Sequence, residues 1–290
     1  MKKRTIFDIV NSRKFPLLEI ERIHELLNKS GGVIVFDEPF AMLTQGTPTS
    51  AIQYIDKNLF KSWKQRGTCI DCSDFARTLD IIKRPQTDDE VNLDFILVYC
   101  EYAANMIFLL RQKICSGDKI TNIVDAAEEN TKKFLGWYNY ELKYFPTAEK
   151  VLVITKNTHA TVVAENTENE SLAFSIIEYN HYLLRGNIER KKEILLAMGS
   201  DLEPRRKEIA LIYKKLENDI FFMLNNLNLR HNNRKKGDKN YIQAVANMRK
   251  NKLEKWYDEL YQLMLTAYLV LDSKERLNSV DCLKEEINKE

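Results

Sequence analysis

The chain has 290 residues, enough for one large domain or two ordinary ones with a real core. Apolar residues make up 44% and charged residues 30%, while Gly (9) and Pro (6) are scarce; this composition argues against many short strands joined by tight turns and favours helices. A net charge of only +2 excludes a chain-wide attraction for nucleic acid, so any such attraction must be local.

The first predicted helix covers residues 16–29, with Pro16 at its first position and Leu17, Leu18, Ile20, Ile23, Leu26 and Leu27 at helical spacing. Gly31 and Gly32 stop it, and VIVF after them reads as a short strand or extended buried segment. Helix is predicted again over 49–66, ended by Gly67, and over 73–82 after the cap signal Ser73/Asp74. Residues 88–114 form a strong helix whose apolar positions almost encircle it, the pattern of a domain's central helix. Residues 119–142 continue helical.

The period then changes. VLVITKN (151–157), ATVVAEN (160–166) and SLAFSIIEYN (171–180) are β-rich and predict a small antiparallel meander. From Gly186 the pattern is helical to the end: 187–200, 203–229, a short segment over 238–249, and 252–272. The fold class expected is therefore mainly α. Two helical parts, 1–146 and 183–290, would flank a small antiparallel meander over 147–182, and the last part would be an antiparallel helical bundle.

Cys69, Cys72, Cys100, Cys115 and Cys282 are odd in number and irregularly spaced, which suits reduced thiols in a cytoplasmic protein. The basic N-terminus lacks the apolar core of a secretory signal, and no window approaches the unbroken apolar run of a membrane span. No membrane is therefore expected as a partner.

Cys69-Ile-Asp-Cys72 offers half a tetrahedral zinc site without a second close Cys or His pair, so no metal is expected. Asp37 and Glu38 supply paired acids after the predicted strand, too common a pattern to define a metal nuclease. His24 falls in an ordinary helix, and His159 in a predicted turn between strands. P-loop, GxGxxG and GxSxG patterns are absent, so no nucleotide cofactor is implied. His181 and Arg185 lie where meander would meet bundle and could join a site, with packing as the alternative.

The cluster with most chemical content is LNLRHNN, residues 227–233. Arg230 can fork onto a phosphate and His231 can move a proton near neutral pH, which suffices for metal-free RNA cleavage. Asn232, Asn233, Arg234, Lys235, Lys236 and Lys239 would bind the substrate, since residues 230–239 hold five basic groups against one acidic. The alternative is a helix terminus: Asn stops helices, and cations complement the dipole at a helix C-terminus.

The helix ending FFMLNNLNLRHNN, the loop RKKGDKNY and the closing helix LEKWYDELYQLMLTAYLVLD together resemble a HEPN-type bundle of bacterial abortive-infection proteins, over roughly residues 186–275. The resemblance implies a metal-independent antiphage ribonuclease acting as a dimer, with a motif of Arg, a polar residue, three variable residues and His. Arg230 and His231 match its first half, and the fifth position after Arg230 is Lys235 where the family carries His. The leading expectation is thus a HEPN-like defence protein, an endoribonuclease using Arg230 and His231 with RNA on the 230–239 loop. The alternative is a catalytically silent module that binds a protein or nucleic-acid partner; a homodimer or protein partner is expected in either case. An acid or base converging on Arg230 from elsewhere would favour catalysis. Packed surroundings for Arg230 and His231 would favour the module.

Overall fold

Pro16 opens the first described helix, α1 (Pro16–Asn28), where its missing N–H costs no hydrogen bond. The structure, a computed structural model, describes residues 14–36 and 46–288. Asp37 and Glu38 lie outside the described residues. The architecture is mainly α and divides into two compact units, Met1–Thr155 and Lys156–Glu290.

In the first unit, Ile20, Ile23 and Leu27 form the buried stripe of α1. The expected short strand exists as β1 (Val33–Val35) and lies between β2 (Thr47–Thr49) and β3 (Lys119–Ile120), antiparallel to both. Ser50 and Gln53 close a capping box that starts α2 (Ala51–Asn58). Asp71 caps α3 (Cys72–Thr78), and Asn92 caps α4 (Leu93–Lys113). α4 is long and apolar enough to cross a membrane by length and composition, but 61% of that window is buried inside the unit, as a central helix requires.

α5 (Asn122–Gly136) stops short of the helix expected over 119–142. After the left-handed Asn139 the chain becomes a strand, β4 (Tyr140–Phe145), with Tyr140 and Leu142 buried in alternation. β4 pairs with β5 (Lys150–Thr155) in a hairpin. The free edge of β5 is covered by α4: the Asn105 amide donates to the Val151 carbonyl (2.8 Å) and accepts from its N–H (2.9 Å), and the Glu101 carboxylate accepts from Val153 N–H (2.7 Å). Side chains of one helix thus replace a third strand.

The meander expected over 151–180 does not form. Only its first segment is a strand; the other two are α6 (Thr158–Glu165) and α7 (Glu170–Glu178). The Asn157 side-chain oxygen accepts from Ala160 N–H (3.1 Å), and the Asn169 side-chain oxygen from Ser171 and Leu172 N–H (3.0 and 3.1 Å), so each polar break is a helix N-cap. Leu172, Ile176 and Tyr179 are buried at helical spacing, and that packing overrides the β-propensity of the branched residues. His159 accordingly lies in the first turn of α6.

The second unit continues with α8 (Ile188–Leu202), α9 (Arg206–Asn226), the single turn α10 (Gln243–Ala246) and α11 (Lys250–Ile287). α9 and α11 are antiparallel: the Tyr257 hydroxyl donates to the Leu227 carbonyl (3.1 Å) at one end, and Lys274 pairs with Glu208 (3.1 Å) at the other. Leu216, Ile220 and Leu224 share a core with Leu253, Leu260 and Met264. Gly199 of α8 lets Leu224 approach, since a Cβ there would stand 3.0 Å from a Leu224 methyl. α9 kinks at Tyr213 (φ −146°, ψ 82°), and Leu211 and Ile212 beside the kink are exposed although residues 203–229 were expected as one continuous helix.

Candidate functional site

The chain leaves α9 through Asn228, whose φ is +60°, a conformation Asn tolerates better than most residues. The loop that follows is organised by Asn233, which is 1% exposed. Its side-chain oxygen accepts from Asn228 N–H, its amide donates to the Asn240 carbonyl, and its own carbonyl accepts from Ile242 N–H, each at 2.8 Å. Arg234 donates to the carbonyls of Ala246 (3.3 Å) and Met248 (3.1 Å), closing the end of α10. The Asn232 side chain accepts from Lys235 N–H (3.2 Å). Asn233, expected to hold substrate, is buried with its amide bonded within the loop, whereas Arg234, also expected to hold substrate, is half-buried and places one guanidinium nitrogen on two backbone carbonyls of the same segment. Lys235, Lys236 and Lys239 are exposed.

Arg230 and His231 are adjacent in sequence but sit in different surroundings. Arg230 has a quarter of its side chain exposed, and its guanidinium is ion-paired with Glu203. It also reaches the Gly199 carbonyl (3.5 Å) and lies 5.4 Å from the centre of the Phe221 ring. Arg206 stands over the same ring at 4.3 Å and is ion-paired with Glu217, which is buried. Arg206 further approaches Glu203 at 3.8 Å. Two guanidiniums and two carboxylates therefore close a network around one aromatic ring, and each cation has its counter-charge within the fold.

An acid does converge on Arg230, as a catalytic arrangement would need. It neutralises the guanidinium, however, and so weakens its attraction for a phosphate. His231 is exposed, and among the described residues no side chain bonds its ring. Acid–base cleavage needs a second positioned group within hydrogen-bond reach of the same substrate atoms. What His231 adjoins in the loop is a set of solvated lysines.

His181, 9% exposed, sits with its ring 4.6 Å from that of Tyr182, and Arg185 is exposed in the segment before α8. The two thiols of the CxxC stretch have different neighbours: Cys69 Sγ lies 3.5 Å from the Thr78 hydroxyl, and Cys72 Sγ lies 4.0 Å from Met106 Sδ. Burial, and then the Asp56 carboxylate, push the Cys72 thiol up, so it stays protonated. All five cysteines are free, and among the described residues no group of three His, Cys, Asp or Glu could hold a metal ion.

The residues that sequence reasoning missed are Glu203, Arg206, Glu217 and Phe221. A mixed-charge run, EPRR at 203–206, marks the start of α9, but nothing local in it announces a partner at residue 230. No protein-family model matches this sequence, and no curated protein and no solved structure matches it to a significant degree.

Proposed function

We propose that this chain is a catalytically silent helical interaction protein, which the HEPN-type resemblance would place in a bacterial defence assembly in the reducing cytoplasm. The observation that carries this reading is the pairing of Arg230 with Glu203, which occupies the one residue that the ribonuclease motif requires as a free cation. The partner is a protein, in the first instance a second copy of this chain. Leu277, Val280, Leu283 and Ile287 of α11, all exposed and spaced along one side of the helix, supply the apolar surface for it.

The test is incubation of the purified protein with total RNA in EDTA, beside the Arg230→Ala/His231→Ala double variant. Equal, background-level RNA decay in both is expected. Cleavage by the wild type that the double variant lacks would restore the ribonuclease reading and overturn this one.

A second contact, with RNA, is favoured by the exposure of His231, Lys235, Lys236 and Lys239 on one loop. Such binding is electrostatic and falls steeply with salt. Replacing the three lysines with Ala should lower the slope of log K against log salt by up to about 3. An unchanged slope removes the loop as an RNA contact.

A further inference from the structure

The hairpin of β4 and β5 has two edges, and the described residues cover only one of them. On β5, the Asn105 amide bonds the N–H and C=O of Val151, and the Glu101 carboxylate takes Val153 N–H, so both residues direct these groups away from β4. Val151 lies opposite Tyr144, and Val153 opposite Leu142. In an antiparallel ladder both members of such a pair face outward. Leu142 and Tyr144 therefore turn their backbone groups to the far edge of β4, beyond which, among the described residues, the sheet has no further strand. Among the described residues nothing bonds the backbone of either one. This edge is a row of unmet donors and acceptors, a template for another strand.

The charges on β4 select both the partner and the register. Glu141 and Lys143 alternate with Leu142 and so share the opposite face of the strand, with side chains 33% and 26% exposed and 3.5 Å apart. A two-fold axis through Leu142 sets that residue against its own copy, in a pair that exchanges both hydrogen bonds. The same axis sets Glu141 against Lys143 of the second copy, twice. That is a non-hydrogen-bonded position, where cross-strand side chains stand closest. The next register that still pairs the outward groups, in either direction, opposes Glu141 to Glu141 or Lys143 to Lys143, which is repulsive. The order Glu-Leu-Lys is thus complementary to itself in one antiparallel register.

We propose that the free edge of β4 is a second self-association surface, at which two copies of this chain pair antiparallel about Leu142 to make a four-stranded sheet. The proposal rests on the geometry of β4 and not on the stripe of α11. A contact made by one short strand from each copy is smaller than the interfaces of stable complexes, so a Kd of about 1 mM is expected. It acts where the chain is locally concentrated, and together with the α11 contact it would link dimers into larger assemblies.

The test uses the full chain carrying Leu283→Asp, which removes the α11 contact, at about 0.05 and about 1 mM, with amide hydrogen exchange read by NMR. Exchange at Leu142 and Tyr144 should slow about twofold at the higher concentration, as a Kd of about 1 mM requires, while that at Lys143, which faces β5, should not change. Glu141→Lys alone and Lys143→Glu alone should each lose the slowing, because each sets like charges opposite one another. A mixture of these two variants, at about 1 mM of each, should regain it, because a strand with two lysines then faces one with two glutamates. Both replacements break only a partly exposed ion pair, so the fold is retained. The proposal is overturned if exchange at Leu142 and Tyr144 is independent of concentration, if either single variant slows as the parent does, or if the mixture behaves as its separate components do. These readings are local to β4, so they stand or fall apart from the α11 contact.

Discussion

The guanidinium of Arg230 is ion-paired with the carboxylate of Glu203, 27 residues upstream, and the same network holds Arg206 on the buried Glu217. The two pairs differ in burial, and that predicts a ranking. Arg206→Ala leaves Glu217 as an uncompensated buried charge and should cost about 3 kcal/mol. Arg230→Ala breaks a pair whose carboxylate is 43% exposed and should cost about 1 kcal/mol or less. Urea denaturation of the two variants measures the difference, and equal losses would show that the network is not organised around Glu217.

Asn233 is the structural centre of the loop that follows. Asn233→Ala removes an acceptor for Asn228 and a donor for Asn240 in a site that water does not reach, so a loss of about 2 kcal/mol is expected. Lys236→Ala, on the exposed side of the same loop, should change stability by no more than about 0.5 kcal/mol. Hydrogen exchange at the amides of Asn228 and Ile242 should quicken only in the first variant. If Asn233→Ala is neutral, the loop is held by something other than this amide.

Long amphipathic periods were legible from residues alone: α1, α4, α8 and α9 stand close to where spacing places them, because each buries a stripe repeated over several turns, whereas α11, expected over 252–272, runs on to Ile287 beyond its buried stripe. Short elements were not. Val162, Val163, Ile176 and Ile177 suggest strands by type, while the information that makes α6 and α7 helices lies in single caps, Asn157 and Asn169, and in burial against distant residues. The candidate site was legible to the same limited depth. The chemistry of Arg230 and His231 can be read from their types, but whether a guanidinium is free depends on Glu203 and Phe221, which only the folded chain brings near.

Lys191 is 6% exposed and holds Glu254 at 2.8 Å and Asp258 at 2.7 Å. Burial pushes the Glu254 carboxyl up, but the Lys191 ammonium and the Gly186 N–H (2.7 Å) outweigh it, so the group sits below the usual carboxylate range. A carboxyl with a depressed folded pKa adds stability that is fully present above its unfolded value, about 4.3, and is lost as pH falls through the folded value. The Tm of the wild type should therefore fall below about pH 4. Glu254→Gln should have a lower Tm at neutral pH and a flatter acid limb. Acid limbs of equal steepness would assign the loss to other carboxylates.

Leu260 is fully buried where α11 meets α9, in the core it shares with Ile220 and Leu224. Leu260→Asp would place an unpaired carboxylate in that core, a change that costs several kcal/mol. Partial or complete unfolding at room temperature is expected by circular dichroism. An unchanged Tm would contradict the packing of α9 on α11.

α11 is packed on one side as far as Lys274, which Glu208 anchors; from 279 to 288 every side chain is exposed, as are Arg276 and Leu277. In that last stretch Leu277, Val280, Leu283 and Ile287 follow one another at intervals of three, three and four, which keeps them on one side of the helix. A solitary helical segment of this length is marginal in water, and it gains most by burying its apolar side against another helix. Both signs of charge flank the stripe, Lys284 beside Asp281 and Arg276 beside Asp272, so two antiparallel copies can match charge to charge. The chain should therefore associate reversibly, with a dimer appearing in sedimentation velocity between about 1 and 100 μM, the range of a small, weak interface. Leu283→Asp should keep the chain monomeric across that range and leave the Tm of the core unchanged, since Leu283 is exposed and outside the buried core. A wild type that stays monomeric at the top of the range, or a Leu283→Asp variant that dimerises as the wild type does, would remove this helix as the self-association surface.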